Sequence, residues 1–265
     1  MQKLVSIPTR SPWVTFLLVL RALMLRQMAT RFGAYKLGFF WMIFEPLVSV
    51  IVVGIVIGGI AGRTVPEIPY PFFLLLGFLM LKLVSGPMST GVGVITANRG
   101  LLVYSSVRPL DVFIARFLFD LFTTLLAFVI FCIAGMWMGI EVSLQNLHIV
   151  LASFVIIWFV GCGVGLILGL AVLRFNDLDK LVPVLNRPLV FVSAVLFPLD
   201  TLPESIQKIL LYNPLVHTIE ISRTALFPNY VEHGANLAYP SVVAVILLAI
   251  GLAYYHRCRK LLVSN

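Results

Sequence analysis

Residues 121–140 read L-F-T-T-L-L-A-F-V-I-F-C-I-A-G-M-W-M-G-I, with no charged side chain. A helix crosses the hydrocarbon core of a bilayer in about 20 residues, so this stretch is long enough to span by itself. Residues 142–173, uncharged apart from His148, and residues 234–255 are two more such runs. Backbone in lipid must satisfy its own hydrogen bonds, and repeated apolar runs of this length therefore predict an all-α polytopic membrane protein. The composition agrees: 60% of the 265 residues are hydrophobic and 11% charged, where soluble domains carry about a quarter charged.

Working outward from 121–140, the chain divides into six predicted spans, at about 37–59, 71–94, 119–139, 147–173, 178–199 and 237–255. They form one membrane domain over 1–265, with a cytoplasmic N-terminal segment (1–36), a six-span region (37–255) and a cytoplasmic tail (256–265). The fifth span is decided by charge rather than length. Its uncharged part, 188–199, is too short to cross alone, so the helix must begin before Arg187. Six crossings with both termini inside place 15 of the 19 Lys and Arg on the cytoplasmic side, three (Arg63, Lys208, Arg223) outside and Lys82 within a span. This satisfies the positive-inside rule, and it accounts for the net charge of +8 without nucleic acid. No cleavable signal peptide is expected. The three cysteines show no pairing pattern, so neither a disulfide nor a metal site is expected.

Before the first span, Trp13, Phe16, Leu17, Leu20, Leu23 and Met24 recur at helical spacing, with Ser11, Thr15 and Arg26 opposite. This predicts an interfacial helix on the cytoplasmic leaflet, ending near Gly33. Between the fifth and sixth spans, Pro203 and Pro214 follow the capping residue types Thr201 and Asn213 and mark two short external helices, about 203–212 and 214–227. These are expected to dip into the outer leaflet or lie on it as a lid.

No catalytic constellation emerges. The histidines are scattered. His217 and Glu220 share a helical face, which reads better as a polar face than as a metal or acid–base pair. No G-x-x-x-x-G-K-[ST] loop is present, so the chain does not hydrolyse a nucleotide by that route. Gly161, Gly165 and Gly169 form a small-residue ladder, read as packing within the subunit in preference to a dimer contact. Glu45, Lys82 and Arg187 are charges inside spans, which are costly and face partners or water. At 1.5 Å per residue all three lie about 12–14 Å from the cytoplasmic side. Two readings stay open: a structural ion pair of Glu45 with Lys82 or Arg187, and a cation left facing a path.

Four stretches carry a resemblance: T-R-F-G-A-Y-K-L-G-F-F-W-M-I-F-E-P-L at 30–47, A-N-R-G-L-L-V-Y-S-S-V-R-P-L-D-V-F-I-A-R at 97–116, R-F-N-D-L-D-K-L at 174–181 and N-P-L-V-H-T-I-E-I-S-R at 213–223. Together they resemble ABC-2 type polysaccharide exporter permeases of the group 2 capsule branch, over nearly the whole chain. The resemblance implies a homodimer forming one path, served by two copies of a separate cytoplasmic ABC ATPase that holds ATP and Mg²⁺. This chain would then be no enzyme and would bind no cofactor. It further implies a coupling loop with Asn98, Arg99, Leu101, Leu102, Tyr104 and Arg108, and periplasmic gate helices over 203–227 with Asn213, Pro214, His217, Glu220 and Arg223. The cargo would be a lipid-linked acidic polysaccharide, handed to a periplasmic adaptor and an outer-membrane export protein. Lys82, Arg187, Arg63 and Arg223, with Glu45, are the path candidates, since cations suit an anionic chain. Competing classes are the same architecture with another cargo (O-antigen, teichoic acid or a drug), a membrane-embedded lipid-linked sugar transferase, and a scaffold without a path. The transferase lacks clustered acids or histidines. The scaffold has little reason to bury charge.

Overall fold

The computed structural model describes residues 11–32, 48, 68–102, 107–175, 177–231 and 234–264. The described elements are helical: α1 (Pro12–Phe32), α2 (Tyr70–Ala97), α3 (Arg99–Leu102), α4 (Pro109–Trp137), α5 (Leu147–Val172), α6 (Leu178–Val192), a 3₁₀ turn (Leu199–Thr201), α7 (Glu204–Leu210), α8 (Pro214–Leu226) and α9 (Ala238–Ser264). Four of them, α2, α4, α5 and α9, are long and apolar enough to cross a membrane. The predicted first span, 37–59, lies outside the described residues.

Three boundaries differ from the sequence reading. The helix of the predicted fifth span, α6, stops at Val192 after 15 residues, about 22 Å at 1.5 Å per residue and short of a ~30 Å core. Pro183 and Pro188 sit inside it and thin its hydrogen-bond ladder, and residues 193–198 continue as non-helical backbone. The helix of the predicted third span, α4, starts at Pro109 rather than near 119, because R-P-L-D is a helix start. Pro109 occupies the first turn, and the Asp111 carboxylate accepts from the Arg108 backbone N–H at 2.9 Å, as a capping box requires. Lastly, α9 runs on to Ser264, past the end of the predicted sixth span at about 255.

The core forms where α5 lies against α2, and glycine sets the distance. A Cβ on Gly165 would stand 2.5 Å from the Pro87 carbonyl oxygen, and one on Gly169 2.7 Å from the Phe113 ring. The ladder is thus spent inside the subunit, letting backbones approach within van der Waals contact. Gly163 on the adjoining face meets Leu247 of α9 in the same way, at 2.7 Å. The aromatic residues Phe128, Phe131 and Phe154 fill the wider gap between α4 and α5.

The stripe on α1 divides. Leu23 is buried, and Val19, Leu20 and Met24 pack beside α4 residues, while Trp13 and Leu17 remain exposed. The C-terminal half docks on the bundle and the N-terminal half keeps its apolar face outward.

Candidate functional site

Two polar assemblies sit at opposite ends of the bundle. The first gathers where α1, α2 and α4 meet. Arg26 Nη1 donates to Asn98 Oδ1 at 2.8 Å, and Asn98 Nδ2 donates to the Val94 carbonyl at 2.7 Å, closing the end of α2. Leu101 of the short α3 packs on the adjacent apolar cluster. Arg116 reaches Gln27 at 2.9 Å and the buried carboxylate of Asp120 at 3.5 Å, and Thr90 donates to the same carboxylate at 3.4 Å. Asp120 was not anticipated as an intramembrane charge, because the span was read from 119. With the helix starting at Pro109 it lies about 16 Å in. The Arg116–Asp120 spacing of four was the signal available in the sequence.

Of the coupling-loop candidates, Asn98, Leu101 and Arg108 are thus placed together at this end, Arg108 with its side chain exposed. The backbone of Arg99 and Leu102 forms α3. Tyr104 and the side chains of Arg99 and Leu102 lie outside the described residues.

The second assembly is built on α8. Asn213 caps this helix by accepting from the Leu215 N–H at 3.0 Å, which is why N-P starts it. The sequence predicted a short external helix that dips into the outer leaflet or lies on it as a lid, but α8 is interior to the subunit: Leu215, Val216, Ile219 and Leu226 pack into the core, and His217, Glu220, Ser222 and Arg223 are buried with them. Arg223 and Glu220 are both 0% exposed. Arg223 Nη1 donates to Glu220 Oε1 at 3.0 Å and to the Ala194 carbonyl at 3.0 Å, and Nη2 donates to the Val195 carbonyl at 3.0 Å. Its guanidinium lies 3.5 Å from the centroid of the Phe73 ring, a close cation–π contact. Tyr230 sets its hydroxyl 2.9 Å from each oxygen of Glu220. Burial pushes the Tyr230 phenol well above the ordinary tyrosine value; the Arg223 charge opposes that rise and Glu220 adds to it. Tyr230 therefore stays a donor.

His217 serves a neighbouring joint. Its Nδ1 accepts from the Asn236 N–H at 3.0 Å, which leaves Nε2 to donate to the Leu211 carbonyl at 2.7 Å. It ties Leu211 to Asn236, with the Tyr239 ring tilted against it at 5.1 Å and the Tyr239 hydroxyl donating to the Tyr212 carbonyl at 2.7 Å. Among the described residues no group of three or more His, Cys, Asp or Glu suited to an ion occurs. The preferred polar-face reading is corrected too, since that face is turned inward.

Residues 19–227 match the family model described as ABC-2 type transporter. The chain belongs to the ABC-2 type transporter family. This ABC-2 chain is also 33% identical over 244 residues to the polysialic acid transport protein KpsM of Escherichia coli, covering 92% of this chain and 95% of that protein. It is 28% identical over 243 residues to the capsule polysaccharide export inner-membrane protein CtrC of Neisseria meningitidis serogroup A, covering 91% of each. Against the capsule polysaccharide export inner-membrane protein BexB of Haemophilus influenzae it is 27% identical over 235 residues, covering 88% of each.

The path candidates of this ABC-2 chain separate. Lys82 is half-buried midway along α2, and Arg187 is exposed on α6. Arg223 is enclosed, its charge directed at Glu220 and two carbonyls, and it presents no surface to a path. Glu45 and Arg63 lie outside the described residues, so the pairing expected of Glu45 does as well. Phe73, Tyr70 and Tyr230, which complete the α8 assembly, were not singled out from sequence. Each is an aromatic among many, and no spacing marks it.

Proposed function

We propose that this chain is the permease subunit of an ABC exporter that carries lipid-linked acidic capsular polysaccharide across the inner membrane. The observation that carries this reading is the match over 92% of the chain to a polysialic acid transport protein. Two copies form the path, and a separate cytoplasmic ATPase, also in two copies, holds ATP and Mg²⁺ and supplies the energy. The absence of a phosphate loop from the sequence is consistent with that division. Both termini are cytoplasmic, so the Asn98–Arg108 end docks on the ATPase and the α7–α8 end faces the periplasm. A periplasmic adaptor and an outer-membrane protein continue the route.

The outward apolar faces of α6 and α9 support a second copy or lipid against them; on α6 these are Leu181, Val184, Leu185, Phe191 and Val192. Arg187 on that face, Lys82 on α2, and Arg63 with Glu45 are the residues proposed to meet the anionic chain. The tie of Arg26 to Asn98 supports a coupling role for this end, since motion imposed on α3 is passed directly to α1.

Affinity purification from the native membrane in mild detergent tests the reading. A phosphate-loop ATPase recovered at one copy per chain, in a complex of two and two, is the expected result. Recovery of the chain alone, without nucleotide-dependent activity in several detergents, would overturn it.

A further inference from the structure

The residues that follow α6 turn into the protein interior, where free carbonyls have no water to turn to. Ser193, Ala194 and Val195 are fully buried. Ala194 adopts φ 51°, a left-handed conformation that is strained for an L-residue and persists only when its surroundings hold it. Three side chains from elsewhere do so. Asn213 Nδ2 reaches the Val192 carbonyl at 3.2 Å and the Ser193 hydroxyl at 2.9 Å. Arg223 takes the next two carbonyls, and the Tyr70 hydroxyl takes Leu196 at 2.6 Å. Gly77 leaves the room: a Cβ there would stand 3.1 Å from Val195 Cγ1 and 3.2 Å from Arg223 Nη2.

We infer that Arg223 is a positioning residue of the exporter: its forked guanidinium fixes where α6 ends, and so how the exposed face carrying Arg187 is presented. Two carbonyls one residue apart, together with a carboxylate, match a planar fork and not a point charge. The cation also sits at the carbonyl end of α6, the negative pole of its dipole. Glu220 balances the charge, Tyr230 and Phe73 hold the pair in place, and Leu215, Val216 and Ile219 secure α8 without the fork. Loss of the fork therefore loosens the helix break rather than the helix that carries it. The geometry stands by itself; the consequence for export rests on the function proposed above.

The test uses the full-length chain in its own membrane, carrying Val195→Cys and probed from the outer face with a membrane-impermeant maleimide. The buried native Cys132 and Cys162 serve as internal references. Arg223→Lys is expected to raise the reactivity of the introduced thiol by about tenfold, as losing one charge-assisted hydrogen bond would. Both native cysteines stay protected, and export falls below about a tenth of the parent level, the same factor. Continued protection at position 195, equal reactivity of positions 132, 162 and 195, or parental export despite an open position 195 each overturns the inference. Should Arg223→Lys not accumulate, Gly77→Ala replaces it, since its methyl displaces Nη2 and Val195 without removing a donor, and an unchanged thiol there overturns the inference equally. A parent chain that exports no polysaccharide, with position 195 opening as expected, counts against the export reading and leaves the positioning role intact.

Discussion

At the scale of single residues, Tyr230 links burial to a measurable pH response. Its phenol is held above the ordinary tyrosine value by burial, so the folded state keeps a proton that the unfolded chain releases near pH 10. The resulting stabilisation is complete below about pH 10 and is lost as pH rises from there toward the raised native value. Tyr230→Phe removes the hydroxyl from Glu220 and is expected to cost about 1–3 kcal/mol. It also flattens the alkaline limb of stability. Thermal unfolding in detergent from about pH 8 to 11 checks both; equal alkaline slopes in parent and variant would refute the assignment. The pair Glu220–Arg223 shows why a residue list read along the chain misplaces function. Three apart on a helix, a carboxylate and a cation look like a polar face. Whether that face meets solvent depends on which helices lie beside it.

At the scale of elements, the α2–α5 contact is governed by absent side chains. Gly165→Ala puts a methyl against the Pro87 carbonyl and is expected to destabilise by about 1–3 kcal/mol, the usual cost of overpacking. Gly93 of α2 is the matched control, because a Cβ there meets nothing within 4 Å. Gly93→Ala should be neutral or stabilising by up to about 1 kcal/mol through helix propensity. Melting temperatures of the two variants, purified side by side, decide the point: equal shifts would mean that the ladder does not set the helix separation. The ladder was legible in the sequence because the spacing of four is a property of one helix. The short α6 was legible only in part. The brief uncharged run 188–199 and the charge at Arg187 warned of a weak span, but nothing local marks Val192 as its last residue.

At the scale of the whole molecule, the end bearing Asn98 and Arg108 should transmit rather than stabilise. The Arg108 side chain is exposed, while the cap on α4 uses its backbone N–H and Asp111. Arg108→Glu therefore leaves the fold intact, and an acid at a helix start is tolerated by the dipole. It is expected to lower polysaccharide export by about tenfold or more, the effect of one lost charged contact, while ATP hydrolysis by the purified complex persists. Measuring both in proteoliposomes checks this. Export and hydrolysis falling together, or neither changing, would show that the loop does not couple them.

The sequence by itself determined that this is a helical membrane protein, roughly where its long apolar helices run, that its glycine ladder admits a close neighbour, and that N-P begins a helix. Each of these follows from periodicity, length or a local hydrogen bond within a few residues, and such terms are complete in a short window of chain. Only the tertiary structure decided that α8 is core rather than a helix in or on the outer leaflet, that Arg223 is enclosed, and that α6 ends where side chains from α2, α8 and the Asn213 turn donate to the carbonyls at its end. Burial, and the pairing of a buried charge, are set by atoms up to 150 residues away. Arg223 and Phe73 meet only once α2, α6 and α8 have packed.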